Sequence, residues 1–547
     1  MIRISNIKSR TFLTREELIK KTASYLGLKP AQIRSLAILK ESIDARRKGD
    51  LWILYCVSAL CEGEHKVLRK HLKHVEPYKP VVYRVPKPVS LPDTMKRPVV
   101  IGAGPAGLFA AYYLALCGLK PILLERGKDV DARTGDVEKF WETGILDPSS
   151  NVQFGEGGAG SFSDGKLTCG VKDPVGRNRF VLETFVSFGA EERILYDAKP
   201  HVGTDVLRTV IRNLRNRILE LGGEVHFSSC VTGFKTADES TEEGRTRKIT
   251  GVVLDTGEIL SAEQVVLAIG HSARDTFRML DQMDLSMEPK PFAVGFRVQH
   301  PQKLIDDSMY GKEVPISLPP SPYKLTARSG DGRGVYSFCM CPGGYVVNAS
   351  SQEGRLCVNG MSYSGRKGLA ANSAIVVSIS PEDYPGNDAL CGVRFQEALE
   401  EKAYAAAGGA IPVCRLKDFS GSEKLPLEDG AEYFKDFTPQ CKGSYAQADL
   451  SKIYPEAVNK AFLEGMEQFS HTIYGFGNGQ TIICGIESRT SSPVRIPRDG
   501  EDLESIRVRG LYPCGEGAGY AGGIISAAMD GLKVGEAIVK RLGFLES

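Results

Sequence analysis

Residues 98–126 read PVVIGAGPAGLFAAYYLALCGLKPILLER, and this stretch decides the fold. A short β-branched strand (98–101) runs into Gly102-Ala103-Gly104-Pro105-Ala106-Gly107, then a helix of small apolar residues, then a second strand (121–124) ending in Glu125-Arg126. Each part has a physical task. Gly102 permits the tight turn, Gly104 lets backbone approach a pyrophosphate, and Gly107 lets helix and strand pack closely. The helix start presents free N–H groups and a positive dipole end to phosphates. Glu125 is placed to accept hydrogen bonds from a ribose diol. G-x-G-x-x-G alone is a weak signal; in its full strand–helix–strand context it predicts a dinucleotide-binding unit.

Three other segments extend that reading. Residues 154–167 (FGEGGAGSFSDGKL) hold five glycines, a density suited to chain threading beside a pyrophosphate and a flat ring. Residues 205–270 predict an amphipathic helix (206–222), strands at 224–227, 231–234 and 249–255 around a polar loop (236–248), and a buried strand at 264–269 closed by Gly270. Arg208, Arg212, Arg215 and Arg217 alternate with apolar positions as a solvated helix face does. Residues 510–538 (GLYPCGEGAGYAGGIISAAMDGLKVGEAI) predict a strand ending in Gly515-Glu516 and a helix opened by Gly522-Gly523. An acid at such a strand end can hold a ribitol hydroxyl. The helix start can face the edge of a flavin where reduction builds negative charge.

The rest of the chain bounds the answer. At ~100–200 residues per domain, 547 residues suggest three or four domains. Sixty-nine Lys and Arg against sixty-seven Asp and Glu leave +2, which gives no support to a broad nucleic-acid surface or a polybasic membrane anchor. There is no apolar signal-like start, and the longest apolar run, 51–61, is far short of the ~20 residues of a spanning helix. Thirteen cysteines without framework spacing read as reduced thiols, so the expected location is cytoplasmic. Cys339-x-Cys341 has no second Cys/His pair at finger spacing, so no metal site is expected.

Residues 1–76 predict a small α+β module: a strand at 1–7, a helix at 15–26 capped by Thr14, strands at 33–46 and 51–61 turned at 48–50, and a basic helix near 64–73. Six prolines in 77–98 suit an extended connector over 77–97. The cofactor domain is expected over 98–285 and again over 486–547, with a substrate domain inserted at 286–485. Strand-like runs there are 292–298, 334–340, 344–350, 355–361 and 374–379, followed by helices at 398–407 and 455–471.

Taken together, these segments resemble FAD-containing flavoproteins of the glutathione-reductase-like class. More narrowly, the chain resembles bacterial FAD-dependent (NAD(FAD)-utilising) dehydrogenases that carry a small N-terminal α+β domain. The narrower match is carried by GEGGAGSFSDGKL, FAVGFRVQHPQ (292–302), CPGGYVVNASS (341–351), NGMSYSGRKGLAANSAIVV (359–377), ESRTSSPVRIPRD (487–499) and LYPCGEGAGYAGGI (511–524). It implies a Rossmann-like α/β FAD/NAD(P)-binding fold with an inserted mixed α+β domain. It also implies that Glu125 binds the adenosine ribose, Glu516 the ribitol, and the backbone at Cys230-Val231 the adenine edge. Gly155, Gly157, Gly158, Gly160, Ser161, Asp164, Gly165 and Lys166 would wrap the pyrophosphate and ring. Ala268, Gly270, Gly515, Gly522, Gly523 and Ile524 complete the expected lining. Glu516 stands where much of the class has Asp.

The implied activity is passage of a hydride or electron pair through bound FAD to or from a small-molecule substrate. No second strand–GxGxxG–helix unit is present, since Gly475–Gln480 (GFGNGQ) lacks the spacing and flanks. NADH or NADPH would therefore dock transiently. Arg489 and Arg495 are candidates to hold an anionic substrate, against the alternative that each pairs with a local carboxylate. His271 is a candidate proton donor or a satisfied structural histidine. Arg297, Tyr345, Asn359, Ser362, Tyr363 and Arg366 could reach the ring, while Cys339, Cys341 and Cys514 read mainly as buried structural thiols. Two rival readings stand beside this one: an FAD protein without net redox, and an electron-transfer component that meets a protein partner through the N-terminal module.

Overall fold

A computed structural model describes residues 1–239, 246–314 and 316–544. Within the predicted polar loop, 240–245 lie outside the described residues.

The N-terminal module runs β1 (Ile2–Ser9), α1 (Arg15–Leu26), β2 (Ile33–Asp44), β3 (Trp52–Cys61), α2 (Glu64–Arg69) and β4 (Val75–Pro77). Its strands pair antiparallel in the order β2-β3-β1-β4. Thr14 caps α1 through a reciprocal box: its hydroxyl accepts from the Glu17 amide while Glu17 Oε2 accepts from the Thr14 amide at 2.8 Å. Alternation sends Ile2, Ile4, Ile53, Val57 and Ala59 into one core beneath the helices. The module docks through the β2 edge, where the Glu41 amide donates to Tyr196 O at 2.7 Å and Arg193 pairs with the Glu41 carboxylate at 2.9 Å. Residues 1–77 hold sixteen Lys and Arg against eight Asp and Glu, so the near-neutral total averages a basic module with an acidic remainder.

Residues 78–98 form no helix or strand, and are pinned by Tyr83, which donates to Glu536, and by the Val89 amide on Cys117 O. The dinucleotide unit follows as β5 (Val99–Ile101), α3 (Pro105–Leu116), β6 (Ile122–Leu124), α4 (Val130–Thr143), α5 (Arg177–Ser187), α6 (Thr204–Glu220) and β7 (Glu224–His226). An antiparallel meander, β8 (Val231–Asp238), β9 (Arg247–Leu254) and β10 (Ile259–Ser261), leads to β11 (Val265–Leu267) and α7 (Arg274–Gln282).

The inserted region holds β12 (Glu288–Pro289), β13 (Phe292–Pro301), α8 (Gln302–Tyr310), β14 (Thr326–Arg328), β15 (Gly334–Asn348), β16 (Val358–Met361), β17 (Ala370–Ile379) and α9 (Cys391–Ala407). It continues with β18 (Ile411–Arg415), β19 (Cys441–Lys442), β20 (Tyr445–Gln447), α10 (Glu456–Ser470) and β21 (Ile482–Glu487). The chain returns through β22 (Val494–Arg495), β23 (Val508–Arg509), β24 (Leu511–Pro513) and α11 (Ile524–Arg541).

Five parallel strands, in the order β24-β11-β5-β6-β7, make the Rossmann-like sheet. A Cβ on Gly107 would lie 1.8 Å from Gly102 O, and one on Gly531 would lie 2.1 Å from Ala106 O, so glycine sets both the α3–sheet and the α3–α11 approach. The inserted sheet orders β14-β15-β17-β13-β21-β18-β20, with β16 and β19 on β15. Entry and exit of the insertion run side by side as the β12–β22 pair.

The two strands expected at 334–340 and 344–350 are one continuous β15, broken in register rather than in course. The helix expected at 398–407 begins seven residues earlier, at Cys391. Helices α4, α5, α7 and α8 have no counterpart in the sequence reading.

Candidate functional site

At the carboxyl ends of β5, β6, β11 and β24 lies a cavity of about 390 Å³, closed on the far side by the inserted sheet. Ligands of open parallel sheets bind at this end. Gly102 sits at φ 97°, and a Cβ there would meet Ala268 O at 2.4 Å. Helix α3 starts at Pro105 after Gly104, which provides no side-chain cap, so its first N–H groups open toward the cavity. The second glycine loop closes on the first: a Cβ on Gly158 would stand 3.1 Å from Gly104 Cα, and one on Gly160 would stand 3.0 Å from Ile524. Helix α11 likewise opens at Gly522-Gly523 without a side-chain cap from Gly523.

Two buried side chains hold this backbone. Glu125 accepts the amides of Ala103 at 2.7 Å, Gly127 at 2.9 Å and Gly155 at 3.0 Å, which fills three of its roughly four acceptor positions. Arg133, which the sequence reading missed, spends its guanidinium on the carbonyls of Asn151, Val152, Gly155, Glu156 and Gly158. Burial lowers its pKa to about 10. Nothing local in the sequence marks it, since the residue is on α4 and its partners lie 18 to 25 positions onward.

Most of the predicted lining meets at the cavity. Gly102, Gly104, Pro105, Ala106, Glu125 and Arg126 form one side, and Gly155, Gly158, Gly160, Asp164, Gly165 and Lys166 another. Val231, Ala268, Gly270, Glu516, Gly522, Gly523 and Ile524 complete it, with His271 and Arg489. Arg126 lies over Phe154, 4.6 Å from the ring centre, and pairs with Asp275. Ala103, Gly107, Gly157, Ser161 and Gly515 stand behind the wall instead. Gly157 donates to Ala103 O, Ser161 hydrogen-bonds Glu156 O, and Gly515 donates to Asp530, itself paired with Arg498.

The inserted wall supplies Phe338, Cys339, Cys357, Val358, Asn359, Glu487 and Thr490. Arg297 is fully buried and committed to Glu487 at 2.9 Å and Asn372 at 2.7 Å. Ser362 and Arg366 do not line the cavity; both bind Asp164 and so tie the glycine loop to the insertion. Tyr345 and Tyr363 pack edge to face at 6.2 Å, also away from it.

The two arginine candidates part here. Arg489 reaches the wall, yet both arms of its fork grip Glu400 (2.8 and 2.7 Å), which also accepts Arg274 at 2.8 Å on each oxygen. Arg495 is exposed and lies over Tyr520, 4.6 Å from the ring centre, outside the cavity. The cause is strand parity: β22 turns Val494 inward and Arg495 outward. His271 Nδ1 is 3.8 Å from Glu516 Oε2. Burial, with Arg489 and Arg274 nearby, lowers the His271 pKa to about 3, so the imidazole is neutral. Burial pushes Glu516 up to about 7. Among the described residues no His/Cys/Asp/Glu group could hold a metal ion, and no helix is long and apolar enough to cross a membrane.

Residues 291–490 match the family described as FAD-dependent protein, C-terminal domain-like, and residues 1–59 match a domain of unknown function. Among solved structures, the L-amino acid deaminase of Proteus myxofaciens in complex with anthranilate is 10% identical, with 85% of this chain and 94% of that one covered and a TM-score of 0.34. The glycerol-3-phosphate dehydrogenase of Bacillus halodurans complexed with FAD is 14% identical at a TM-score of 0.26. There 52% of this chain is covered, and it spans about half (48%) of that one. A protein of Clostridium beijerinckii (strain ATCC 51743 / NCIMB 8052), described as uncharacterised, is 45% identical over 546 residues, 99% of each chain. At that identity and coverage, the chain belongs to the family of the Clostridium beijerinckii protein.

Proposed function

We propose that this protein is an FAD-dependent oxidoreductase acting on a small molecule, with NADH or NADPH docking transiently as electron donor. One observation carries the reading: two uncapped helix starts and two facing glycine loops meet at a single cavity, opposite a wall in the region that matches FAD-dependent proteins. The lining fits FAD because side chains are absent along part of it: Gly270, Gly522 and Gly523 border the cavity, and a Cβ on any of them would meet no atom within 4 Å. When bound, FAD supplies two-electron chemistry at its ring.

The chain's own residues do the rest. The α3 start and the Gly155–Gly158 backbone bind the diphosphate, the free edge of Glu125 takes a ribose hydroxyl, and Glu516 takes the ribityl chain. The α11 start favours negative charge at the ring edge. Phe338, Val358 and Asn359 exclude water from the opposite side. Glu516, near 7, holds or releases a proton at its carboxylate at neutral pH, while His271 offers a neutral imidazole. Arg297 and Arg489 act as fixed walls, since carboxylates already occupy them; an anionic substrate would be met by Lys166 and backbone N–H groups.

The test is the absorbance spectrum of the purified chain, then anaerobic NADH and NADPH. Flavin bands that bleach with either nucleotide support the reading. No flavin even after FAD is added ends it. A second reading, docking of an acidic redox protein, is favoured by the twofold excess of basic residues in 1–77. It predicts bands that bleach only with such a partner and at low salt.

A further inference from the structure

On the wall facing the proposed flavin site stands Cys339, with Cys341 buried behind it, and no step above uses either. Along β15, Phe338 pairs with Ala374 but Cys341 pairs with Asn372, so three residues of one strand cover two of the other. Cys339 takes up the extra residue at φ 45°, a left-handed conformation that a side chain disfavours. In a regular strand, residues two apart lie ~6.6 Å between Cα atoms, at the far edge of the ~4.4–6.8 Å that a disulfide spans. The bulge breaks that regular spacing at Cys339. It also turns Cys339 into the cavity wall, with Cys341 fully buried behind it.

The surroundings suit thiolate chemistry. The Cys341 thiol lies 3.2 Å from Cys339 O, and Arg297 Nη1 reaches the same carbonyl at 3.1 Å and Cys341 Sγ at 4.0 Å. A hydrogen bond from Cys341, then the Lys166 and Arg297 charges, outweigh burial and Asp164 and lower the Cys339 pKa, while Cys341 is raised. The other thiols lining the cavity differ: burial pushes Cys357 up to about 12, and raises Cys514 too.

We propose that Cys339 and Cys341 are a redox-active dithiol in the cavity wall that reacts with a small organic disulfide by thiol–disulfide exchange. The Cys339 thiolate attacks one sulfur of R–S–S–R, forming Cys339–S–S–R and expelling one R–S⁻. Cys341 gives up its proton and attacks the Cys339 sulfur, closing the Cys339–Cys341 bond and expelling the second R–S⁻. Two electrons pass from the protein sulfurs to the substrate disulfide, and the one proton given up by Cys341 ends on one of the two released sulfurs, leaving one R–SH and one R–S⁻. The inference deepens the oxidoreductase reading by naming a substrate class for that cavity, and it is read on sulfur rather than on flavin.

The test uses the full chain as purified, with oxidised glutathione as the disulfide, followed by alkylation, trypsin and mass measurement. Cleavage after Arg333 and Arg355 releases residues 334–355, which contain Cys339 and Cys341 and no other cysteine. The expected result is loss of two hydrogens from this peptide. Cys341→Ser should stop at a glutathione adduct on Cys339, and Cys339→Ser should leave the peptide unmodified. Flavin absorbance of each variant reports whether it is folded. A wild-type peptide that stays a dithiol while flavin is bound overturns the proposal and spares the oxidoreductase reading. Closure in a chain that binds no flavin does the reverse.

Discussion

Replacing Glu516 with Gln should make the apoprotein more stable at pH 8 and should flatten part of its pH dependence. Burial raises this carboxyl from its ordinary 4.5 to about 7, while its side chain keeps 23% exposure to the cavity. The folded pKa lies above the unfolded one, so between pH 4.5 and 7 the native state holds a proton that the unfolded chain has lost. Stability therefore falls as pH rises through that window. Each pH step is worth about 1.4 kcal/mol, which makes about 3 kcal/mol in all. His271 works in the opposite sense, being neutral when folded and losing stability as pH falls below about 6.5. The wild-type curve alone is therefore a sum, and the difference between wild type and variant isolates Glu516. The assay is the urea midpoint from pH 4.5 to 8, followed by Trp141 fluorescence in a Trp52→Phe background, because Trp141 packs against Phe162 beside the cavity. The variant's advantage should be near zero at pH 4.5 and about 3 kcal/mol at pH 8. A constant difference across the range would refute the reasoning.

The remaining predictions probe other levels of the structure. Glu400→Gln leaves Arg274 and Arg489 buried without their shared carboxylate, so it should cost about 3–5 kcal/mol in denaturant unfolding of the flavin-bound chain; a loss under about 1 kcal/mol would mean that the guanidiniums find water. Gly107→Ala places a methyl 1.8 Å from Gly102 O and should yield no folded, flavin-binding protein, judged by absorbance after gel filtration. Thr14→Ala removes the α1 cap and should cost about 1 kcal/mol on Trp52 fluorescence, with the flavin spectrum unchanged.

Much of the glycine-rich side of the cavity was legible because its determinants are local. Gly102 to Gly107 and Glu125 lie on one strand–helix–strand unit, where each residue's task follows from its neighbours in sequence. The same holds for the Thr14 cap and for the Gly49 turn. Arg495 shows where this fails. Its guanidinium suited an anion as well as that of Arg489, but the parity of a two-residue strand decided which one faced inward.

By itself the sequence determined a dinucleotide fold, the glycine loops that leave room for backbone beside phosphates, and a β-rich insertion between two parts of one sheet. These are consequences of side-chain absence and of short-range periodicity, which any window of the chain displays. Tertiary structure alone decided how the buried charges are spent. Asp164 is held by Arg366 from 202 positions away, and Glu400 is shared by Arg274 at 126 positions and Arg489 at 89. It also decided that Cys339 lines the cavity with Cys341 buried behind it, at a register slip against β17. An isolated charge cannot stay buried, so Arg274, Arg366 and Arg489 take the carboxylate that the packing brings near while Arg133 takes backbone carbonyls, and those choices are set by contacts that no local pattern records.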